Sequence, residues 1–363
     1  MTPLPAPHTE RTALAALPTR ACARGGLTLP VLGLGCWSMG GGDYWGPQAQ
    51  PEAEAVVRAA LERGCNYFDT AEMYNEGGSE SSLGLALQGI PRDQVILGTK
   101  ISPSNTEPRT LVEHCEASLR RLQTDYLDLY MVHWPITAAA IGHFAAAPVP
   151  TPVVSEAFAA LGRLQAAGKI RHVGVSNFGR ARLEEALATG VEIVVNQLPY
   201  SLLARAIEVE ILPYCRTVGV AVMGYMALWQ GVLSGACAAL DDIPPRQRRT
   251  RHFDARRSPL IRHGLPGAEA ETARALAAIR SIARENGVSM ARLALQWAIA
   301  REGVACSLCG ARSVAKLREN LAAAAQPLAP EIVGELDRVT QPLAEALGPS
   351  FDYWEHPDHD RTR

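Results

Sequence analysis

Short apolar runs recur along the chain, and between them apolar residues fall three and four positions apart. The runs predict strands: Pro30 to Trp37, Tyr67-Phe68 ending at Asp69, Val95 to Thr99, Leu127 to His133, His172 to Val175, Ile193 to Asn196, Val220 to Gly224, and Val304 to Leu308. The spaced patterns predict helices over 52–63, 79–87, 110–122, 158–167, 182–188, 208–218, 272–285 and 290–301, with Gly64 and Gly168 as stops. Strands that alternate with helices run parallel, joined by right-handed crossovers. Eight such units argue for an α/β fold of the (β/α)8 TIM-barrel kind, with long loops on one face.

Three of these runs end in an ionisable residue: Asp69 after Tyr67-Phe68, Lys100 after Val95-Ile96-Leu97, and His133 after Leu127 to Val132. Tyr74 follows Asp69 in a short polar segment. In parallel α/β folds the strand ends of one face are where reactive groups gather. A tyrosine hydroxyl, with a pKa near ~10, is a weak acid at neutral pH, and a neighbouring ammonium is expected to lower it. An aspartate would hold that lysine, and a histidine would orient a substrate oxygen. Together they make a proton donor for a carbonyl under reduction.

Phe68-Asp69-Thr70-Ala71-Glu72-Met73-Tyr74 with Glu80, then Gly98-Thr99-Lys100, then Asp125-Tyr126-Leu127-Asp128-Leu129-Tyr130 with His133, resembles the aldo-keto reductase family from about Leu27 to Ala325. The resemblance implies a catalytic tetrad of Asp69, Tyr74, Lys100 and His133 and NADP(H) as cofactor. It implies that Ser176, Asn177 and Gln197 hold the nicotinamide carboxamide, that the Tyr225 ring stacks on the nicotinamide, and that Trp37 and Leu228 also contact the cofactor. The glycine-rich loop Gly40 to Gly46 brings Tyr44 and Trp45 to the substrate pocket, with Trp134. The family's usual tyrosine-serine-proline-leucine reads Tyr225-Met226-Ala227-Leu228 here, and Met226 lacks the serine's hydrogen bond to the pyrophosphate.

Gly33-Leu34-Gly35-Cys36-Trp37 is not a dinucleotide fingerprint, because Ser38 stands at the third glycine position. A phosphate site falls instead on Cys309-Gly310-Ala311-Arg312-Ser313, whose backbone donors open a helix. Arg312 offers a fork for a 2′-phosphate. By resemblance Lys316 adds a second cation there, and Glu319 and Asn320 reach the adenine amine.

The hydrophobic share of 47% supports a large core, and a formal net charge of -2 gives no reason to expect nucleic acid or an acidic membrane as partner. No apolar run reaches the ~18 residues of a membrane span. The eight cysteines form no zinc-like pair of pairs, and Cys306 and Cys309 read as small core residues. Unpaired cysteines without a secretory signal fit a reducing cytoplasm. The expected organisation is a flexible tail over 1–24, one barrel over 25–345 and a C-terminal tail over 346–363. No metal is needed, and the partner is a small carbonyl or alcohol substrate. Two long connections, Ile136 to Pro152 and Ala236 to Glu269, read as lids or mobile loops. The second holds seven arginines between Arg246 and Arg262, with Phe253 the one aromatic among them, a poor pattern for nucleic acid. The same resemblance leaves an alternative: potassium-channel β subunits share this fold and bind NADPH while serving a membrane partner.

Overall fold

The computed structural model describes residues 17–145 and 149–363. Strands β1 (Thr19–Ala21) and β2 (Thr28–Pro30) form an antiparallel hairpin. The eight strands β3 (Leu32–Gly35), β4 (Tyr67–Asp69), β5 (Ile96–Ile101), β6 (Leu127–Val132), β7 (Ile170–Ser176), β8 (Ile193–Pro199), β9 (Ala221–Tyr225) and β10 (Val304–Cys309) close a parallel barrel. Around it run α1 (Gln50–Leu61), α2 (Gly78–Ala86), α3 (Pro108–Leu122), α4 (Ala138–Phe144), α5 (Val154–Ala166), α6 (Arg180–Leu187) and α7 (Ile211–Val218). They are followed by α8 (Glu269–Glu285), α9 (Met290–Ala300), α10 (Val314–Ala324) and α11 (Pro330–Leu347). Every strand expected from the apolar runs is present. The α4 turn and the α11 helix were not expected from the pattern. No helix among the described residues is long and apolar enough to cross a membrane.

Side chains alternate across each strand, so two cores form. Outward residues such as Phe68, Tyr130 and Val222 pack under the helices, whereas Tyr67, Leu129, Met131, Val195, Met223 and Cys306 fill the barrel interior. The interior is tight: a Cβ on Gly33 would lie 2.6 Å from the Tyr67 ring. One step further along each strand, the next inward position lies beyond the apolar layer. Asp69, His133, Gln197 and Tyr225 each stand two residues after an interior core residue. The period of two thus delivers polar side chains to one floor at the strand ends.

Both expected tails are in part folded. Of the segment 1–24, residues 1–16 lie outside the described residues, but β1 closes the opposite end of the barrel. Cys22, Leu27 and Leu29 join the interior core, and Arg20 Nη1 donates to Val304 O at 2.6 Å, at the start of β10. Without this plug the barrel interior would meet water at its lower end. The segment 346–363 crosses the upper face. Tyr353 and Asp352 are fully buried, and Gly179 N donates to Thr362 O at 2.8 Å. Buried apolar surface and a buried ion pair, Arg361 with Asp352, outweigh the entropy that a free tail would keep.

The connection 236–269 is likewise pinned. Phe253 and His252 are buried, His252 Nε2 lies 2.7 Å from Leu203 O, and Arg251 donates to Ser350 O at 2.6 Å. Two of its arginines pair locally, Arg256 with Asp254 and Arg257 with Glu269. In the first long connection, Thr137 caps α4 by accepting from Ala140 N, while 146–148 lie outside the described residues.

Candidate active site

Asp69 ends β4, and β4 pairs with β5 so that Asp69 lies opposite Gly98. Two residues on, Lys100 is fully buried and its ammonium is held on three sides. It donates to Asp69 Oδ2 at 2.7 Å, to Thr70 O at 2.7 Å and to the Tyr74 hydroxyl at 3.3 Å. Tyr74 opens a short turn in which Asn75 and Glu76 adopt left-handed backbone angles, φ 52° and 54°. Asn75 Nδ2 donates to Met39 O at 2.8 Å and so fixes that turn against the first loop. His133 follows β6, and its ring meets the Tyr74 ring edge-on with centroids 5.6 Å apart. The four residues that the sequence singled out therefore converge.

Their electrostatics depart from expectation in one respect. Burial raises the Tyr74 hydroxyl above its ordinary pKa and outweighs the lowering by Lys100, with Asp69 adding to the rise. The predicted net fall does not occur, because desolvation of the buried phenolate outweighs the charge of Lys100, which Asp69 offsets in part. Burial works against the Lys100 ammonium, yet Asp69 and then Tyr74 hold its pKa above the ordinary value. Burial, then Lys100 and His143, push His133 well below the usual range, so the imidazole is neutral. Its Nδ1 has no hydrogen-bond partner among the described residues.

A second ring of polar groups adjoins the first. Gln197 Nε2 donates to Asp69 Oδ1 at 2.8 Å. Asn177, at φ 63°, donates to His133 O at 3.1 Å and to Ser176 Oγ at 3.0 Å, and accepts from the Tyr225 hydroxyl at 2.8 Å. Asparagine tolerates this left-handed backbone better than most residues do.

These side chains line a cavity of about 590 Å³ at the barrel mouth. Of the residues expected to hold a cofactor, Trp37, Ser176, Asn177, Gln197, Tyr225, Leu228, Gly310 and Arg312 line it. Lys316, Glu319 and Asn320 do not. Lys316 Nζ pairs with Glu319 Oε2 at 2.8 Å on the surface, and Asn320 turns inward to donate to Cys309 Sγ at 3.2 Å. The reason is helical spacing: residues three apart on α10 meet each other before they meet anything across the cleft. Arg312 donates to the carbonyls of Trp45 and Pro47, bridging the first loop to the start of α10.

Of the expected substrate-pocket residues, Trp45 and Trp134 line the cavity, while Tyr44 stacks behind Trp37 at 4.9 Å. The Tyr44 hydroxyl donates to Gln230 Oε1 at 3.0 Å. Gln230 lines the cavity in the turn after Met226, where Met226, Trp229 and Gln230 all have positive φ. It places a polar side chain near the position where Met226 offers none. Sequence reasoning also missed Phe144, Arg262, Trp354 and Arg361 in the cavity wall. They come from segments without periodicity, so no pattern pointed to them. Cys306 and Cys309 are buried as expected, and burial pushes the Cys309 thiol up to about 12.

A family model described as the aldo/keto reductase family matches residues 31–341. Methylglyoxal reductase YeaE of Escherichia coli K12 is 33% identical over 317 residues, spanning 86% of this chain and 92% of its own. The NADH-specific methylglyoxal reductase of the same organism is 32% identical over 318 residues, spanning 82% and 90%. Among solved structures, a thermostable aldo-keto reductase in complex with the inhibitor epalrestat has a TM-score of 0.70 at 27% identity, covering 89% of this chain and 100% of its own. An aldo/keto reductase from Klebsiella pneumoniae in complex with NADP and acetate has a TM-score of 0.64 at 30% identity, covering 87% and 93%.

Proposed function

We propose, from the premise that the chain belongs to the aldo/keto reductase family, that it is an NADP(H)-dependent oxidoreductase. It reduces an aldehyde or ketone to an alcohol, or runs the reverse. The observation that carries this reading is the single ammonium shared between Asp69 Oδ2 at 2.7 Å and the Tyr74 hydroxyl at 3.3 Å, at the foot of the cavity.

The donor set suits a nicotinamide dinucleotide. Gln197 Nε2 is taken by Asp69, which leaves its Oε1 to accept from a carboxamide beside Ser176 and Asn177. Tyr225 presents a flat ring in the wall, and Gly310 with Arg312 precedes α10, whose N-terminus favours a phosphate. When bound, the reduced nicotinamide supplies the hydride.

The chain's own residues manage the proton. Tyr74 gives its hydroxyl proton to the carbonyl oxygen as that oxygen gains the electron pair of the C=O π bond. Lys100 stabilises the phenolate left behind, and its charge matters most at that moment. Asp69 keeps the ammonium in place. His133, neutral, donates a hydrogen bond that orients the carbonyl oxygen. Trp37, Trp45 and Trp134 shield the reacting carbon from water. The same groups serve alcohol oxidation in reverse.

A 2-oxoaldehyde is the first substrate to try, since two relatives are methylglyoxal reductases. One of them is NADH-specific, so cofactor choice in this chain rests on Arg312. The test is NADPH absorbance over a panel of carbonyls, run on wild type and Tyr74→Phe together. Turnover that is lost in the variant, with NADPH binding kept, is the expected result. A variant that reduces a good substrate at the wild-type rate removes Tyr74 from the role of acid. A wild type that binds NADPH but reduces nothing turns the reading toward a binding protein.

A further inference from the structure

Among the described residues the cavity wall carries four arginines, Arg249, Arg262, Arg312 and Arg361, against one carboxylate, Asp69, which Lys100 already pairs. One of these cations, Arg312, has a use in the reading above. Arg312 stands at the phosphate end, and Arg249 lies 5.0 Å from the ring of Tyr44 in the first loop. Arg262 and Arg361 stand elsewhere, on the wall beyond His133. The Arg361 guanidinium lies 4.2 Å over the ring of Trp134, the residue after His133. Arg262 Nη1 contacts His143 Nδ1 at 2.7 Å, and the next residue, Phe144, stacks on His133 with centroids 6.0 Å apart.

The acids that hold these two arginines sit behind them. Arg361 donates from Nε and Nη2 to Asp352, each at 2.7 Å, and Arg262 Nη2 pairs with Glu355 at 2.6 Å. Neither Asp352 nor Glu355 lines the cavity. Arg361 is 4% exposed and its Nη1 has no hydrogen-bond partner among the described residues, with Glu355 Oε1 3.8 Å away. The field on this wall is positive: burial, then Arg361, Arg262 and Arg249, bring His143 down to about 3, and no carboxylate is among the groups that shift it.

We propose that Arg262 and Arg361 form an anion subsite beside Tyr74 and His133, and that the carbonyl substrate carries a carboxylate or phosphate group. The proposal rests on the reductase reading. By the reading above, Gly310 and Arg312 meet the cofactor's phosphate, which leaves the charge of Arg262 and Arg361 for the substrate. A planar guanidinium held from behind by a carboxylate is aimed and rigid, which suits a planar or tetrahedral oxyanion.

The test compares matched pairs that differ in charge. In the carboxylate arm, 4-formylbenzoate is set against its neutral methyl ester; in the phosphate arm, glyceraldehyde 3-phosphate is set against glyceraldehyde. The charged member is expected to have a kcat/KM about ten- to a hundred-fold higher, as a charge-assisted hydrogen bond implies. The arm with the larger ratio identifies the anion. Arg262 is 42% exposed at its side chain, so Arg262→Gln should fold, and it should bring the ratio toward one through KM. Arg262→Lys should restore part of it. Terephthalate binding by calorimetry, against dimethyl terephthalate, reads the subsite without turnover.

Ratios near one in both arms, with the neutral aldehydes or methylglyoxal still reduced, overturn the subsite and leave the reductase reading intact. A high ratio that Arg262→Gln does not change overturns the assignment to this wall. A protein that reduces none of these carbonyls overturns the reductase reading, and the subsite falls with it.

Discussion

The floor of the cavity and its rim are both built on ion pairs, but of opposite kinds. On the floor, Lys100 and Asp69 pair with side chains 0% and 4% exposed, and every partner comes from a barrel strand or the turn beside it. On the rim, in the connection 236–269, Arg256 pairs with Asp254 and Arg257 with Asp241 and Glu269, with side chains between 17% and 90% exposed. A buried pair has one workable geometry, because leaving either charge alone in a low dielectric is costly. Exposed pairs exchange for water at little cost and are screened by salt. The floor is thus suited to a fixed chemistry and the rim to adjustment, which matches the usual division between a scaffold and its loops.

The sharpest way to break the contrast is at Tyr74. Tyr74→Phe keeps the ring and removes the proposed acid, so carbonyl reduction should fall by about 10²–10⁴-fold, the usual worth of a positioned proton donor. Wild-type pH dependence gives a second reading of the same group. A hydroxyl raised above its ordinary pKa stays protonated through neutrality, so reduction should hold steady from about pH 6 to 9 and fall only as pH rises past about 10. His133, held well below its usual range, should add no acid limb in the ordinary imidazole range of about pH 6.5. A limb near pH 6.5 would return the imidazole to proton transfer.

Lys100→Met comes next. It leaves Asp69 buried and unpaired, a change that typically destabilises by about 3–5 kcal/mol, and it removes the charge that favours the phenolate. Chemical denaturation should show the loss, and any residual activity should have its alkaline limb moved upward. A variant as stable as wild type with an unchanged profile would separate Lys100 from both roles.

Arg312→Ala reaches toward the rim. Binding of NADPH should weaken by about ten- to a hundred-fold, while NADH binding hardly changes, because only the former carries the 2′-phosphate. Fluorescence titration of both cofactors decides it. Equal losses would mean that the bridge from Arg312 to the carbonyls of Trp45 and Pro47 supports the common part of the site. The smallest effect is expected at Arg257→Ala, which should raise hydrogen exchange in 241–269 and leave the global unfolding transition in place. A large loss of stability there would show the rim to be built like the floor.

Much of the floor was legible in the chain. The strand runs and their terminal Asp69, Lys100 and His133 could be read off because alternation and strand ends are local properties. Tyr74 stood out by its place after Asp69. The rim was far less so. Arg361 and Trp354 lie in a segment that reads as a tail, and Phe144 belongs to a short helix in a loop of apolar and small residues. The sign of the Tyr74 shift was misjudged because a pair of residues shows the attraction of Lys100, whereas the desolvation that wins depends on the whole surround.

By itself the sequence determined the order of strands and helices and the identity of the groups at the strand ends. These follow from periods of two and of about 3.6 residues, which need no knowledge of distant parts of the chain. Only the tertiary structure decided that residues 19–30 plug the barrel and that 350–363 fold across its mouth. It also decided that Lys316 spends its charge on Glu319, and that Arg262 and Arg361 face the cavity with their acids behind them. Those outcomes depend on which surfaces happen to meet once the barrel has closed, and on how much water is expelled when they do.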